Sequence, residues 1–179
     1  MRTKRKRALF ISAGGMLLAF LSFYTFQELY YYRDQKEWVS PLPSEKGILI
    51  RQDSSGGGEF GAKRNGGRRH QGIDLLAEVG TPVYAVRSGW VRVGEVPRGM
   101  GKFVTVTHRK GLRTLYGHLS EVYVRDHRRV RQGELIGAVG KTGNAAGRSV
   151  SAHLHFELRQ RRSVLDPNIV LDDLSPSAS

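Results

Sequence analysis

The feature that most constrains the fold is a series of short β-prone runs, separated by glycine-containing turns, that fills most of the chain after residue 80. The runs are TPVYAV, GWVRVG, KFVTVTH, RTLYGHL, ELIGAVG and HLHFELR. Runs of this length, rich in valine and aromatic residues and bounded by turn residues, are typical of strands. No long amphipathic helical pattern follows residue 36. The sequence therefore predicts an all-β domain built from antiparallel strands.

The segments around these runs predict the domain limits. Residues 51–70, RQDSSGGGEFGAKRNGGRRH, are rich in glycine, serine and charge, which favours an irregular surface loop. Loops of that length in compact domains often border functional sites. We expect a short tether over residues 27–47, one domain over residues 48–172 and a disordered tail over residues 173–179.

The amino terminus combines a basic flank with a long uncharged run. Five basic residues lie among the first seven, and residues 8–26, ALFISAGGMLLAFLSFYTF, carry no charge. At about 1.5 Å per residue such a run nearly spans a hydrocarbon core of about 30 Å. The positive-inside rule places the basic segment 1–7 in the cytoplasm. The sequence thus predicts a single transmembrane signal anchor over residues 8–26.

A cleaved secretory signal is the alternative interpretation of this terminus. The bulky segment SFYTFQELYYY stands where such a signal needs small residues, and the apolar run is longer than the usual signal core. Both interpretations export residues 33–179. We therefore expect the domain on the periplasmic, extracytoplasmic side of the cytoplasmic membrane.

Charge and cysteine content narrow the function classes. The chain has 29 basic and 16 acidic residues, a net charge of +13. This excess favours an anionic partner such as a nucleic acid, an acidic lipid surface or an anionic wall polymer. The basic residues outside the terminus are scattered and accompany no nucleic-acid-binding motif, so we expect no nucleic acid. Cysteine is absent, which excludes disulfides, thiolate ligands and a cysteine nucleophile.

A first cluster of chemically active side chains lies in RRHQGIDLL. His70 and Asp74 are four positions apart, with Gly72 between them, in a turn that leads into a strand-like run. Imidazole and carboxylate are the ligands left to a metal site without cysteine. A histidine and an aspartate at this spacing are also common as a surface pair, and the pair alone does not decide between the two.

A second cluster, SAHLHFELR, follows about eighty residues later. His153 and His155 are two positions apart, so a strand would present both on one face while Leu154 and Phe156 point into a core. This alternation is what a sheet with one functional face and one buried face requires. A polar strand face is the alternative for this motif taken by itself.

The order of these motifs resembles a known family. The chain is similar to the M23 zinc metallopeptidases of the LytM and lysostaphin type, which cleave peptidoglycan peptides. The similarity runs from about residue 48 to 172, through FGAKR, HQGIDLLAEVGTPVYAVRSGWV, VTVTH, LYGHL, QGELIGAVGKTG, HLHFELR and DPNIVL. The resemblance implies a LytM-type antiparallel β-sheet domain with a groove between loops.

The resemblance also implies the site. His70, Asp74 and His155 would be the ligands of one zinc ion per chain, and His118 and His153 would be the catalytic histidines. Zinc held by two imidazoles and one carboxylate activates a water and polarises a scissile carbonyl. One histidine would take the proton of the water, and the other would donate to the developing oxyanion.

Three further polar residues receive other roles. We expect His108, which ends FVTVTH, to pack beneath the groove, and His127, in VRDHRRV, to be solvated. Glu157 shares a strand face with the second histidine pair, and we expect it to be a structural group that supports a ligand.

The function expected from these features is a membrane-anchored zinc endopeptidase that cleaves the D,D cross-links of peptidoglycan. One alternative is a non-catalytic relative that activates cell-wall amidases or assembles with cell-wall synthesis or division proteins. Such a protein would not need the full set of ligands and catalytic histidines. A wall-binding module is a third alternative, and it would not need the pair formed by His118 and His153.

Overall fold

The computed structural model of the chain describes residues 13–33, 37–43 and 48–172. The chain divides into two units, residues 1–33 and residues 34–179. In the first, helix α1 spans Ala13–Arg33 and continues through residues 27–33, where we expected the tether to begin. Within the described ranges no helix is both long enough and apolar enough to cross a membrane. The predicted anchor 8–26 begins outside those ranges.

The described part of the second unit consists mainly of strands. A short helix, α2, follows them at Asn168–Asp172, and single helical turns occupy Asn65–Gly67, Arg109–Gly111 and Gly143–Ala146. The strands are β1 (Gln52–Asp53), β2 (Gly56–Gly57), β3 (Ile73–Leu76), β4 (Pro82–Tyr84), β5 (Gly89–Val96), β6 (Gly101–Thr107), β7 (Leu112–Val122), β8 (Arg129–Val130), β9 (Leu135–Val139), β10 (His153–Gln160) and β11 (Ser163–Leu165).

Strands β3 to β11 form one sheet, and β1 and β2 form a separate hairpin. The main path through the sheet is β11-β10-β7-β6-β5-β8, with β3 paired to β10, and β9 paired to both β7 and β4. All of these pairings are antiparallel. The predicted antiparallel β-sheet domain is confirmed.

Strand β10 organises the site because it has β3 on one side and β7 on the other. Leu154 and Phe156 are fully buried in the core, as their alternation with the two histidines predicts. The Phe156 ring packs on Tyr116 of β7 with ring centroids 5.4 Å apart. Burying a side chain of this size contributes roughly 1.5–3 kcal/mol to stability. This packing fixes the position of β10 and therefore of the polar face that carries the two histidines.

Residues 37–43, which lie within the predicted tether 27–47, contact the sheet domain. The Val39 N–H donates to the carbonyl of Val86, and the carbonyl of Pro41 accepts from the N–H of Tyr84. Leu42 is buried within the hydrophobic core. This segment is therefore part of the domain, because Leu42 packs in its core and the backbone of the segment is hydrogen-bonded to residues 84 and 86. The predicted tail 173–179 lies outside the described residues.

Candidate metal centre and active site

The register of β10 with β3 brings residues of the two sequence clusters together. In the pairing of β10 with β3, His155 lies opposite Asp74, and in the pairing of β10 with β7 it lies opposite Gly117. His70 ends the loop that enters β3, and its N–H donates to the carbonyl of Ala62. Two strands and one loop end thus place the predicted ligands side by side.

The three side chains converge on one point. His155 Nδ1 lies 2.8 Å from Asp74 Oδ1, and His70 Nε2 lies 3.1 Å from the same oxygen. The two ring nitrogens are 3.1 Å apart. All three residues are buried, with exposed fractions of 4% for His155, 3% for Asp74 and 7% for His70. Among the described residues they form the one group whose ligand atoms could hold a metal ion.

The spacing and chemistry of these atoms fit zinc. A tetrahedral ion with bonds of about 2.0–2.1 Å separates its ligand atoms by roughly 3.3 Å, close to the observed spacing. Burial alone would raise the pKa of Asp74, but its contacts with His155 and His70 outweigh burial and hold the pKa below its usual range. The carboxyl is therefore an anionic ligand at neutral pH.

Each ring of the ligand set is oriented by a second hydrogen bond. His70 Nδ1 donates to the carbonyl oxygen of Glu59 over 2.9 Å, which leaves Nε2 with its lone pair toward the cluster. His155 Nε2 lies 3.2 Å from the Glu157 carboxylate, which leaves Nδ1 toward the cluster. Such outer contacts fix the tautomer and raise the basicity of a ligand histidine. Glu157 is fully buried and supports the ligand His155, in the position expected for it.

Two arginines on Asp74 were not anticipated from the sequence. Arg51 donates to Asp74 Oδ2 from two nitrogens, at 3.0 and 3.3 Å, and Arg64 donates to the same oxygen at 3.1 Å. Arg51 is itself buried, with 4% of its surface exposed. The two guanidinium groups occupy one carboxylate oxygen and leave the other to face the histidines. No spacing rule marks either arginine, because both contacts exist only once the loop has folded.

Arg51 also joins the site to a loop contact. It pairs with Asp53 of the β1–β2 hairpin, and the other oxygen of Asp53 accepts from the Ser151 N–H over 2.8 Å. The Ser55 hydroxyl lies 3.1 Å from the Ser149 hydroxyl. The hairpin is therefore bonded to the loop that leads into β10.

Two further histidines stand beside the cluster, as predicted. His153 Nδ1 donates to the Ser151 carbonyl over 2.7 Å, and His118 Nδ1 donates to the Thr142 carbonyl over 2.9 Å. In both rings Nε2 is thus left with a lone pair, and that of His153 lies 3.7 Å from Asp74 Oδ1. The two rings meet edge to face with centroids 4.9 Å apart.

His118 is held in an unusual backbone conformation. Its φ is 61°, in the left-handed region that residues with a side chain rarely adopt. The β7–β9 register shifts just beyond it, between Leu119 and Glu121. Its N–H donates to the Met100 carbonyl over 2.8 Å. Strain of this kind costs on the order of 1–3 kcal/mol and concentrates at functional sites.

The surroundings keep both of these histidines neutral at neutral pH. Burial lowers the pKa of His118 to about 4, and the neighbouring His155 and His153 rings add to the effect. Burial also lowers the pKa of His153, against the opposing influence of Asp74. A neutral ring with a bare Nε2 is ready to accept a proton.

The two remaining histidines lie away from the cluster. His108 is buried, with Nδ1 donating to the Ser88 carbonyl and Nε2 2.9 Å from the Thr114 hydroxyl. His127 is exposed and pairs with Asp126. The geometry agrees with the packed and the solvated roles that we expected for them.

Comparisons with known proteins match this part of the chain. The model of peptidase family M23 matches residues 68–167, more than half of the chain. The catalytic domain of lysostaphin from Staphylococcus simulans is 31% identical with a TM-score of 0.55, over 68% of this chain and 92% of that domain. A zinc-containing peptidase from Vibrio cholerae is 31% identical with a TM-score of 0.57, over 73% of this chain and 39% of that protein.

A curated relative with a printed activity is also similar. DD-carboxypeptidase/endopeptidase Mpg of Neisseria meningitidis is 41% identical over 100 residues, which are 56% of this chain and 22% of that protein. The match thus spans about a fifth of that relative. By the family match, and in agreement with this geometry, the chain belongs to peptidase family M23.

Proposed function

We propose that the chain is a zinc-dependent endopeptidase that hydrolyses the peptide cross-links of peptidoglycan. The observation that carries the proposal is the convergence of five buried side chains: three ligand atoms within 3.1 Å of one another and two bare imidazole nitrogens beside them. His70 Nε2, Asp74 Oδ1 and His155 Nδ1 would hold the zinc ion.

The residues of the chain divide the chemistry between them. When bound, zinc supplies a Lewis acid that activates a water and polarises a peptide carbonyl. Nε2 of either His118 or His153 takes the proton from the attacking water. The ring that has become protonated donates to the developing oxyanion, and it passes the proton to the leaving amine when the C–N bond breaks. The carbonyls of Thr142 and Ser151 hold both rings in the required tautomer.

We propose the D,D bond of the cross-link as the substrate. The similar Mpg protein carries the words DD-carboxypeptidase/endopeptidase in its name, and the model of the shared family matches residues 68–167, which bear the site. A second support is charge, because residues 27–179 carry 24 basic and 16 acidic residues, and peptidoglycan stem peptides are anionic.

The non-catalytic alternative, an activator of amidases or a partner of division proteins, has less support. Such a role requires neither a strained His118 nor a neutral His118–His153 pair beside the ligands. These buried polar groups and the strained backbone lower the stability of the fold, and a purely binding role does not require them.

We also propose that the amino-terminal segment anchors the chain in the cytoplasmic membrane, with the domain outside. Its support is the uncharged run 8–26 behind five basic residues, and the exposed large apolar side chains of α1. In cell fractionation the protein should be found in the membrane fraction. In a separate experiment, protease added to intact spheroplasts should digest the domain. Recovery in the soluble fraction after lysis, with no processed form, would contradict the anchor.

The function is tested by digesting purified peptidoglycan with the full chain and separating the released fragments. We expect cross-linked dimers to become monomers, with one zinc ion bound per chain. His155→Ala should lose both zinc and activity, whereas His118→Ala and His153→Ala should keep zinc and lose activity. The exposed His127→Ala is the matched control and should remain active. Zinc binding without cleavage by the unaltered chain would contradict the proposal.

A further inference from the structure

The sheet face that carries His155 continues past the buried Glu157 to a more exposed surface. Along β10 the positions on this face after His155 are Glu157 and Arg159, and their partners on β7 are Leu115 and Arg113. The opposite face of the same strands is buried in the core. A ligand that extends along this face from the metal centre would pass Glu157 before it reaches the two arginines.

Two like charges lie opposite each other on this surface. Arg159 and Arg113 face each other in the β10–β7 register. Side chains in such a pair are about 5 Å apart at Cβ, and two like charges at that spacing destabilise a sheet. The buried carboxylate of Glu157 balances Arg159. The charge of Arg113 is therefore the one that an anion from outside the chain would balance.

The two arginines line a cavity of suitable size. Thr105, Arg113, Thr114, Leu115 and Arg159 enclose about 190 Å³. Its floor is the sheet itself, and Leu115 separates it from Gly117, which lies opposite His155. A carboxylate and the atoms that bear it fit this volume, and the Thr105 hydroxyl adds a further donor.

The two guanidinium groups that line the cavity have different partners. Arg159 donates to the buried Glu157 over 2.6 Å and to Gln71 over 2.7 Å. Arg113 donates to the carbonyl of Arg161 over 3.0 Å. Among the described residues no carboxylate pairs with Arg113, so its charge is not balanced by the chain. An arginine fork of this kind binds carboxylates with charge-assisted hydrogen bonds.

We infer that the cavity between Arg113 and Arg159 binds a free carboxylate of the peptidoglycan stem peptide and selects substrates that carry one. The inference rests on the proposed function for the identity of the peptide. His155 and Arg159 are four positions apart, or about 13 Å along the strand. An extended peptide held at the metal centre reaches the cavity within about four residues, a distance at which stem peptides present unlinked carboxylates.

The experiment measures kcat and KM of the full chain on two synthetic cross-linked stem-peptide dimers, one with free carboxylates and one with the same groups amidated. We expect KM to be about tenfold lower for the free-carboxylate dimer. Arg113→Gln should raise KM for that dimer about tenfold, leave kcat unchanged and leave the amidated dimer unaffected. Arg113 is chosen because Arg159 contacts Glu157, which supports a ligand.

A matched control separates the cavity from the overall charge. Arg125→Gln removes one exposed positive charge beyond the opposite end of β7. It should leave the preference between the two dimers unchanged. Equal KM values for both dimers with the unaltered chain, or equal effects of the two arginine variants, would overturn the inference while leaving the endopeptidase intact.

Binding of an uncross-linked stem peptide to the full chain makes the test independent of cleavage. Titration calorimetry should give a Kd about tenfold lower for the free carboxylate than for its amide, and Arg113→Gln should abolish the difference. If neither dimer is cleaved, the proposed function fails, and this measurement still decides on the cavity. Equal Kd values for peptide and amide, or binding of a phosphate polymer in place of the peptide, would overturn the inference.

Discussion

At the scale of single residues, the proposed ligand Asp74 depends on two arginines that are not themselves proposed ligands. Arg51 and Arg64 together hold Oδ2 and so turn Oδ1 toward the two histidines. The carboxylate is ionised and buried, and an unpaired charge at that depth would be strongly unfavourable. The arginines therefore orient the ligand and compensate its burial.

Arg64→Gln tests this dependence. We expect zinc affinity, measured by competition with a chelator, to fall about tenfold because one of the contacts that fix the carboxylate is lost. Arg64 is preferred to Arg51 because its side chain is 23% exposed, so the variant should still fold. Arg69→Gln, which removes an exposed charge close by, should leave the affinity unchanged. Unchanged affinity in Arg64→Gln would show that Arg51 alone suffices.

His108 gives a prediction for stability against pH. Burial lowers its pKa from 6.5 to about 4 in the folded chain. The unfolded chain therefore binds a proton at a higher pH than the folded chain, and this favours unfolding as pH falls from 6.5 towards 4. Neutral His108 contributes fully to the stability of the folded chain above pH 6.5. By about pH 4 roughly 3 kcal/mol of that stability is lost.

Denaturant unfolding at several pH values checks the sign of this effect. His108→Gln should be less stable than the unaltered chain at pH 7, because it loses the bonds to Ser88 and Thr114. Its stability should then fall less steeply between pH 6.5 and 4. His127→Gln, an exposed histidine, should follow the unaltered chain. Parallel curves for the chain with and without His108 would contradict the assignment.

At the scale of elements, the close approach of β3 and β10 is set by a glycine. A Cβ at Gly72 would lie 2.5 Å from the Phe156 carbonyl oxygen and 2.8 Å from His155 Cε1. Both atoms belong to the strand that positions the ligands, and the carbonyl is backbone that cannot move aside. The glycine in HQGID is thus a packing requirement of the metal centre.

Gly72→Ala should therefore damage the site more than the fold. We expect bound zinc to fall at least tenfold and the unfolding free energy to fall by roughly 1–3 kcal/mol, the usual cost of overpacking. Gly147→Ala is the control, since its Cβ would meet only the end of Val150 at 3.3 Å. Full zinc occupancy in Gly72→Ala, measured by metal analysis, would refute the packing argument.

The strands also show which parts of the fold and the site can be predicted from the sequence. Alternation in HLHFE predicts which side chains of β10 face the core, because a strand has a fixed period of two. Spacing cannot predict that Arg51 and Arg64 reach Asp74, since those contacts depend on the path of an irregular loop. The same limit explains residues 37–43. Trp38, Val39 and Leu42 stand among polar and proline residues without a regular period, yet Leu42 is buried in the core.

At the scale of the whole molecule, the proposed metal couples to stability. The three ligands come from β10, β3 and the loop before β3, so a bound ion joins segments more than eighty residues apart in sequence. An ion that binds only the folded chain, and not the unfolded chain, stabilises the fold by about 4 kcal/mol when its free concentration is a thousand times Kd. For a domain of this size that corresponds to about 10 °C in Tm.

Calorimetry with and without a chelator measures this coupling. The unaltered chain should lose about 10 °C in Tm when zinc is removed and recover it when zinc is restored. His155→Ala should unfold at one Tm regardless of zinc. A Tm that does not respond to zinc in the unaltered chain would mean that the three residues do not hold the ion in the folded state.

The most direct test of the central claim, hydrolysis of a peptidoglycan cross-link at this site, is digestion of a defined cross-linked dimer by the zinc-loaded full chain in ¹⁸O-labelled water, followed by mass spectrometry of both products. We expect two monomers, with one ¹⁸O atom in the new carboxylate of the terminal D-alanine and no product from the His155→Ala chain. An intact dimer after prolonged incubation, or label at any other carboxylate, would refute the proposed hydrolysis.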